Sequence, residues 1–486
     1  MPASDAGLGT AWDRTQGYFS TLVTDMYLPW VANALNNASV LLSMLPEESY
    51  DIAGKFVFMP VKYGRNTRAF SAVREGGKIA DPGAALARPY MFRPRKFFFR
   101  AIIDGDIYRA SQLDAVRYVD ALEDIMAQGA GDMAVDFNRQ VHNDGSGRLA
   151  EISVVNAGAG DYTLRLNQSI ESVATCQSNP ADFLGGEYLG RRVMVISPAG
   201  IPKGVRQVTV VDPFVPGPPS SVRVTLALSD GTPLDVNAVP GGGVAVAGDW
   251  VVPCARFVSD AATVGEEINS GFRTELPGIA GIFGDSFVLD GNGVALLPAG
   301  ALNYVGQDEF AAVGGATVGF QGAPVTAAEP WNMCQIMDGG GVLREPTEEL
   351  LQIAFDRAEE TNNAQIDMLM SGYGERSRHA EQLLPDKRYT NTTVLSGGWT
   401  ALDYKGKPWV ADRHTYKNRI YCMGLRSGGF KQFPRTPFQP LDPMGPHWYR
   451  LQDDDKYQAA WVGEGTHGVE IRQRIGVLVT DIRRSA

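Results

Sequence analysis

The sequence lacks the short motifs by which many enzymes bind metals, phosphates or nucleotides. Its five histidines occur without HxH, HxxxH or HExxH spacing, and neither a GxSxG segment nor a P-loop is present. The four cysteines form no CxxC pair, so we expect thiols in a reducing compartment and no disulfide framework. We therefore expect no catalytic residue, no cofactor and no metal, and the chain is predicted not to be an enzyme.

Two glycine-rich segments approach known binding sites and depart from them at particular positions. GYGERS, at 372–377, follows a predicted strand and opens a helix, but the third glycine of a dinucleotide fingerprint is replaced by Ser377. In QVHNDGSGRLAE, Asp144, Gly145 and Glu151 fit a calcium loop, whereas its first and third positions hold glutamine and histidine. We expect a strand-to-helix turn and a helix-terminating turn.

No run of apolar residues is long enough for a spanning helix, which needs about 20 predominantly apolar residues. The most apolar stretch, YFSTLVTDMYLPWVANALNNASVLLSML, is interrupted by Asp25, Pro29 and several asparagines. The first residues have neither the basic start nor the apolar run of a signal peptide. We expect a soluble protein made in the cytoplasm, without a membrane partner.

What is present is a long chain with uneven charge. Its 486 residues, 44% hydrophobic, suit two or three domains, and its 55 glycines favour β structure with many turns. The net charge is −11, yet residues 62–100 hold ten basic and two acidic residues, a local +8 that leaves −19 for the rest. A basic arm on an acidic body predicts attraction between copies. Nucleic acid is the rival partner of the arm, although the acidic body argues against tight DNA binding.

The chain divides into segments of different periodicity. FVFMPV and PYMFRPRKFFFRAII predict the two strands of an outsized hairpin, which is marginal in water by itself. A helix is predicted from Ser111 to about Val141, ending at NDGSG. Residues 160–258 are predicted to be entirely β, as a barrel or sandwich. Residues 346–460 are predicted to be α/β, with a hairpin turning at Gly406, and VEIRQRIGVLVTDI predicts one long final strand.

This order of segments resembles the major capsid protein of tailed bacteriophages with the Hong Kong 97-type fold. The resemblance is carried by GKFVFMPVKYGRNTRAFS, by RKFFFRAIIDGDIYRASQLDAVRYVDALEDIM and by the turn NDGSGRLAEI. Further along, EPWNMCQIMDGGGVLREPTEELLQIAFDRAEETN, GGWTALDYKGKPWVADRHTYKNRIYCM and the final strand continue it.

The resemblance implies an α+β fold with an inserted all-β domain. It assigns 1–55 to an N-terminal arm, 56–110 to the hairpin or E-loop, and 111–159 to the spine helix and turn of the peripheral (P) domain. It further assigns 160–258 to the inserted β domain, 259–345 to a return to the P-domain, 346–460 to the axial (A) domain and 461–486 to a terminal P-domain strand. The E-loop is expected to cross a neighbouring subunit, through an interface made by Phe56, Phe58, Lys62, Arg65, Arg68, Arg74, Lys78, Arg93, Arg95 and Lys96. Phe97 and Phe99 are expected on the same apolar face.

The implied function is a self-assembling icosahedral or prolate shell of hexameric and pentameric capsomers around packaged double-stranded DNA. The implied location is the virion capsid, assembled in the bacterial host cytoplasm without sequence-specific DNA binding. Further implied partners are a portal, a decoration protein and a scaffold, expected to be separate because only 55 residues precede the hairpin. Two alternatives stay open: an encapsulin-type nanocompartment shell, and a carbohydrate- or nucleic-acid-binding protein built on 160–258, where aromatic residues are sparse.

Overall fold

The structure is a computed structural model, and it describes the chain in separate ranges. These are residues 40–46, 48, 52–53, 56–64, 84–92, 94–106, 129, 132–133, 135–143, 145, 147–155, 161–165, 192–197, 201–215, 221–227, 246, 249–254, 275–276, 278–283, 288–289, 295–296, 319–320, 323–324, 330–332, 334–340, 342–383, 392–394, 400–440, 449–450 and 455–485. The chain forms two compact units, one of residues 1–49, 94–139 and 432–466 and one of residues 50–93, 140–431 and 467–486.

The described elements are mostly strands. In chain order the strands are β1 (Ile52–Ala53), β2 (Phe56–Lys62), β3 (Ala87–Phe92), β4 (Arg95–Asp104), β5 (Ala150–Val155), β6 (Asp161–Arg165), β7 (Arg192–Ile196), β8 (Pro202–Val215), β9 (Ser221–Ala227), β10 (Trp250–Pro253), β11 (Val288–Leu289), β12 (Ala295–Leu296), β13 (Gly319–Phe320), β14 (Ala323–Pro324), β15 (Gln335–Met337), β16 (Met368–Ser371), β17 (Thr392–Val394), β18 (Thr400–Tyr404), β19 (Lys407–Ala411), β20 (Ile420–Met423), β21 (Phe430–Pro440), β22 (Tyr449–Arg450), β23 (Lys456–Val469) and β24 (Gly476–Val479). The helices are α1 (Val40–Met44), α2 (135–142), α3 (Ile279–Phe283), α4 (Glu348–Asn362), α5 (Tyr373–Leu383) and α6 (Leu425–Gly428), with 3₁₀ turns at Pro330–Asn332 and Arg472–Ile475. The predicted α+β class is confirmed.

A closed six-stranded barrel forms in the order β10-β5-β6-β9-β8-β7. Its side chains Met194, Ile196, Val205, Trp250 and Val252 make a buried cluster. The predicted β module is therefore a barrel, and it starts earlier than residue 160, because β5 already pairs with β10. Closure leaves a barrel without free strand edges.

The α/β part is a seven-stranded sheet in the order β15-β24-β20-β16-β19-β18-β17. Helix α4 begins at the N-cap Thr347, whose hydroxyl accepts a hydrogen bond from the Leu350 amide, and it ends at Asn363 in the left-handed region. Its residues Leu351, Ala354 and Ala358 are fully buried against the sheet. Within the region 346–460, predicted to be α/β, the described residues from 348 to 423 form helices and strands, as expected.

The predicted hairpin at Gly406 is also confirmed. Strands β18 and β19 pair in the register Tyr404↔Lys407, and Lys405 and Gly406 both have positive φ, 53° and 75°. Two such residues make the tight turn whose twist suits a β-hairpin. The Asp403 carboxylate accepts the Gly406 amide at 2.7 Å and fixes this turn.

In the other unit, β4 and β23 form a long antiparallel ribbon that also includes β21 and β22. Ten residue pairs join β4 to β23, from Lys456↔Asp104 to Gly465↔Arg95. Phe97 packs edge-on against Phe137, with ring centroids 5.0 Å apart. The helical residues end at 142, as predicted, while the predicted start at Ser111 lies outside the described residues.

Two long strands predicted from the sequence are each broken. PYMFRPRKFFFRAII is two strands, since β3 pairs with β2 and β4 pairs with β23. Pro94 lies at the break, and a proline has no N–H to continue a ladder. The predicted final strand is also wrong: β23 ends at Val469, and β24 joins the α/β sheet beside β15 and β20. Gly476, at φ 129°, allows the turn between them, because a Cβ there would lie 1.9 Å from the Cys422 carbonyl oxygen.

We predict that His467 makes the fold sensitive to acid. This residue is fully buried beside Phe430, and burial lowers the pKa of His467 from 6.5 to about 4. Between these two values the unfolded chain binds a proton that the folded chain does not bind, so stability falls as pH falls. Between pH 7 and 4.5, wild type should lose about 2 to 3 kcal/mol more unfolding free energy than His467→Gln. Urea unfolding at both pH values measures this difference, and equal losses would contradict the assignment.

Candidate subunit interface

The root of the basic hairpin is buried in its own chain. Strands β2 and β3 pair over six positions, from Val57↔Phe92 to Lys62↔Ala87. Met59, Val61 and Tyr90 are buried, whereas Pro60 and Lys62 alternate with them and are exposed. This alternation is typical of a ribbon with one covered face and one open face.

An aromatic stack holds this root in place. Trp331 stacks on Tyr63, with centroids 4.4 Å apart, and on Tyr90 at 5.5 Å. The Tyr90 hydroxyl donates to the Asn332 side-chain oxygen at 2.7 Å, and both groups are inaccessible to water. Arg472, also buried, donates to the backbone oxygen of Asn332 at 3.4 Å. We define these four contacts with Trp331 and Asn332 as the hairpin anchor.

At the end of the described part of the hairpin, the backbones of its two strands approach each other closely. The amides of Tyr63 and Gly64 both donate to the Leu86 carbonyl oxygen, at 3.1 and 3.3 Å. A Cβ at Gly64 would lie 2.8 Å from the Leu86 side chain, so glycine permits the close approach. Leu86 itself is 51% exposed. The two strands thus run side by side from the anchor to Gly64 and Leu86.

The structure places few of the ten predicted interface residues at this end. Lys62 is exposed on β2, next to this close approach. For Phe56 and Phe58 the structure describes the backbone of β2 and not the side chains. The remaining hairpin members lie outside the described residues: Arg65, Arg68, Arg74, Lys78 and Arg93.

Arg95 and Lys96 lie on a different strand from the one that was predicted. Both belong to β4, paired with β23 of the same chain, and Lys96 forms an ion pair with Glu464 at 3.3 Å. Phe97 was predicted to face a neighbour, but it packs on Phe137 of its own chain. Among the β4 residues whose side chains the structure describes, the exposed apolar ones are Phe98 and Ile102.

Sequence reasoning also missed the anchor residues Trp331 and Asn332. They lie in a short 3₁₀ turn more than 200 positions from Tyr90 in sequence. The aromatic pair Trp331 and Tyr63 carries no local pattern, so spacing could not have joined them. The only available signal was the presence of tryptophan in EPWN, within a segment that carries the family resemblance.

The glycine-rich GYGERS segment is a strand-to-helix turn, as predicted. It joins β16 to α5, and the Glu375 carboxylate turns back to accept the Asn418 amide at 2.6 Å. Burial raises the pKa of Glu375. A Cβ at Gly372 would lie 2.5 Å from that carboxylate, so the glycine accommodates it. The segment therefore has a structural role: its buried Glu375 carboxylate accepts a hydrogen bond from the backbone of Asn418.

Buried thiols fit the same structural role. Cys334 and Cys422 are buried, Cys254 is half-buried, and Cys176 lies outside the described residues. Burial raises the pKa of Cys334 to about 11 and that of Cys422 to about 12, so both thiols stay protonated at neutral pH. Across the described ranges, no cluster of three or more histidine, cysteine and carboxylate side chains is placed to hold a metal. Nor does any described helix have the length and hydropathy needed to cross a bilayer.

A comparison of this chain with solved structures finds matches at low sequence identity. The chain is similar over 91% of its length to 92% of a chain from the cyanophage A-1(L) capsid asymmetric unit, with 8% identity and a TM-score of 0.43. It is similar over 92% of its length to 91% of a chain from the capsid of a native GTA particle, with 7% identity and a TM-score of 0.38. The holo-SrpI encapsulin complex from Synechococcus elongatus matches over 32% of this chain and 54% of that one, with 11% identity and a TM-score of 0.24. No protein family and no curated protein sequence matches the chain.

We predict that the hairpin anchor contributes measurably to stability. Tyr90→Phe removes the hydroxyl and leaves the buried Asn332 oxygen without that donor, which should cost about 1 to 2 kcal/mol of unfolding free energy. Chemical denaturation measures the change. Tyr373→Phe, at a tyrosine that is 56% exposed, is the matched control and should change stability by less than about 0.5 kcal/mol. Equal effects of the two substitutions would show that the anchor bond is not stabilising.

Proposed function

We propose that this chain is the major capsid protein of a tailed bacteriophage, assembling into a closed shell around packaged double-stranded DNA. The observation that carries the proposal is the hairpin. Its root is anchored in its own chain, and its two strands lead from that anchor to a segment, residues 65–83, in which basic residues outnumber acidic ones. A segment of this kind is stabilised when other molecules cover it.

Charge supports a second copy as the molecule that covers this segment. Residues 65–83, between the described ends of the hairpin, contain Arg65, Arg68, Arg74 and Lys78 against Glu75 and Asp81. The rest of the chain is acidic, so each copy offers a surface that attracts the hairpin of the next. Each leg of the segment from Lys62 to Leu86, if extended, reaches about 40 Å. That distance crosses much of a neighbouring domain.

Contacts of this kind hold an assembly together more strongly when the subunits form a closed ring or shell. In a ring or shell every copy both gives and receives a hairpin, so release of one contact leaves the others in place. We assign the hairpin of β2 and β3 as the E-loop, the β4–β23 sheet with α2 as the P-domain, and the seven-stranded sheet as the A-domain. The β-barrel is assigned as an insertion, since its first and last strands β5 and β10 are paired neighbours. Strand β24 belongs with the A-domain in this assignment.

The shell would be built from hexameric and pentameric capsomers in the host cytoplasm, with a separate scaffold, a portal and a decoration protein as further partners. The acidic composition suits a container for DNA, because an inner wall that bound phosphates would hinder filling and ejection. We propose no enzymatic step for this chain.

Electron microscopy of the purified protein tests the proposal. We expect polyhedral particles or capsomer-sized rings, and dispersed monomers at all concentrations would contradict it. The variant Arg68→Glu/Arg74→Glu should keep its unfolding midpoint and lose particles, because the hairpin then repels its acidic neighbour. Lys405→Glu/Arg426→Glu makes the same charge change at two exposed positions outside the β2–β3 hairpin and should still assemble. Equal assembly of both variants would refute the role of the hairpin charges.

A further inference from the structure

The ribbon of β4 and β23 has one open apolar face. Phe98 is 59% exposed and Ile102 is 47% exposed, and they alternate with inward residues so that both point to the same side as Lys96 and Arg100. Across the ribbon, Val462 lies opposite Phe98 and is half-buried. We call this surface, made by Lys96, Phe98, Arg100, Ile102 and Val462, the ribbon face.

The other side of the same ribbon is covered by its own chain. Phe97 packs on Phe137, and Trp461 is 1% exposed. Phe98 lies directly opposite Val462, so these two side chains are neighbours on the ribbon face. Ile102 lies four residues further along the same face, about 13 Å away and beyond Arg100. An exposed apolar patch of this kind is a surface that another element can cover.

The first residues that the structure describes, 40–46 and 48, lie next to this sheet. The Glu48 amide donates to the Gln432 carbonyl oxygen, and the Gln432 amide donates to the Pro46 oxygen, both at 3.0 Å. The Gln432 side chain donates to the Leu42 oxygen at 2.9 Å in helix α1. Gln432 lies in β21, which is a neighbour of β23. Residues 40–48 are therefore fixed to the sheet that carries the ribbon face.

The 39 residues before α1 have a composition that matches this face. They include the apolar run YFSTLVTDMYLPW, which contains Phe19 and Trp30. Their charged residues are Asp5, Asp13 and Asp25 against one Arg14. On the ribbon face, Lys96 is paired with Glu464 of its own chain, and Arg100 donates to the neutral side chain of Gln458, so Arg100 is the cation for which these carboxylates are suited. If extended, 39 residues span about 130 Å, so reach is not limiting.

We propose that residues 1–39 cover the ribbon face of their own chain. The tether at residues 40–48 raises the local concentration of the segment to the millimolar range, which favours it over the same segment of another molecule. Its apolar side chains would bury Phe98 and Ile102, and its carboxylates would lie near Arg100. The proposal is independent of shell assembly, because it concerns a contact within one subunit.

Photo-crosslinking of the full chain tests this contact. Phe98→benzoylphenylalanine, made in the whole protein, should crosslink to peptides of residues 1–39 under irradiation. Ile353→benzoylphenylalanine is the matched control, since Ile353 on α4 is 47% exposed, as is Ile102. This control should give no such product. A mixture of isotopically light and heavy protein shows by mass spectrometry whether both crosslinked peptides come from one molecule.

Light–light and heavy–heavy products alone support the proposal. Mixed light–heavy products, crosslinks to residues 62–86 of a second copy, or crosslinks to 1–39 that occur equally from position 353 would each overturn it. Deletion of residues 1–39 gives a second measurement: dye binding at exposed apolar surface should rise several-fold, and Phe98→Ser in the deleted chain should reverse the rise. An unchanged signal after deletion would also overturn the proposal. Assembly of particles does not enter either readout.

Discussion

The stack of Tyr63 and Tyr90 on Trp331 is the contact on which the account of the hairpin depends. A two-stranded ribbon buries too little apolar surface to hold a fixed direction by itself. Here one face of the root of the hairpin is covered, and the Tyr90–Asn332 hydrogen bond fixes the position of β3 relative to the 3₁₀ turn at Pro330–Asn332. The direction in which β2 and β3 leave the body is therefore set by three aromatic rings and one amide.

The other two large sheets are arranged differently from the hairpin. The barrel closes on itself. The α/β sheet inserts β24 between β15 and β20, so that the end of the chain becomes part of the core. The residues after it are held by further backbone bonds, since Ile482 donates to the Asn418 oxygen at 3.0 Å. The ribbon face and the hairpin are the surfaces for which we propose partners.

Local signals in the sequence were strong enough to predict much of the fold. Helix α4 has its Thr347 cap and a buried stripe at helical spacing, and the turn at Gly406 has its own short-range chemistry. The barrel strands are separated by glycine and proline turns, so their existence was predictable although their closure was not.

Features that depend on distant pairing were not predictable. PYMFRPRKFFFRAII is rich in β-forming residues, and Pro94 was the local signal of a break within it. The pairing partners show that it is two strands. The final segment was predicted as one long strand, and its break was not predictable because β15, the partner of β24, lies about 140 positions earlier. The sequence predicted Phe97 at an interface; in the structure Phe97 packs on Phe137 of its own chain, a contact between distant segments, and Phe98 is exposed. The net charge of residues 62–100 could be counted from the sequence, but the partners of the individual charges could not be predicted. Lys96 contributes to this basic region, yet it pairs with Glu464 of its own chain.

The central claim is that the hairpin is held at its root by its own chain and at its end by other copies. Hydrogen–deuterium exchange, followed peptide by peptide in dispersed and assembled protein, measures both halves at once. The account predicts that residues 56–64 and 84–92 are protected in both states, and that residues 65–83 become protected only on assembly. Protection of residues 65–83 in dispersed monomers, or rapid exchange of that segment in assembled particles, would contradict it.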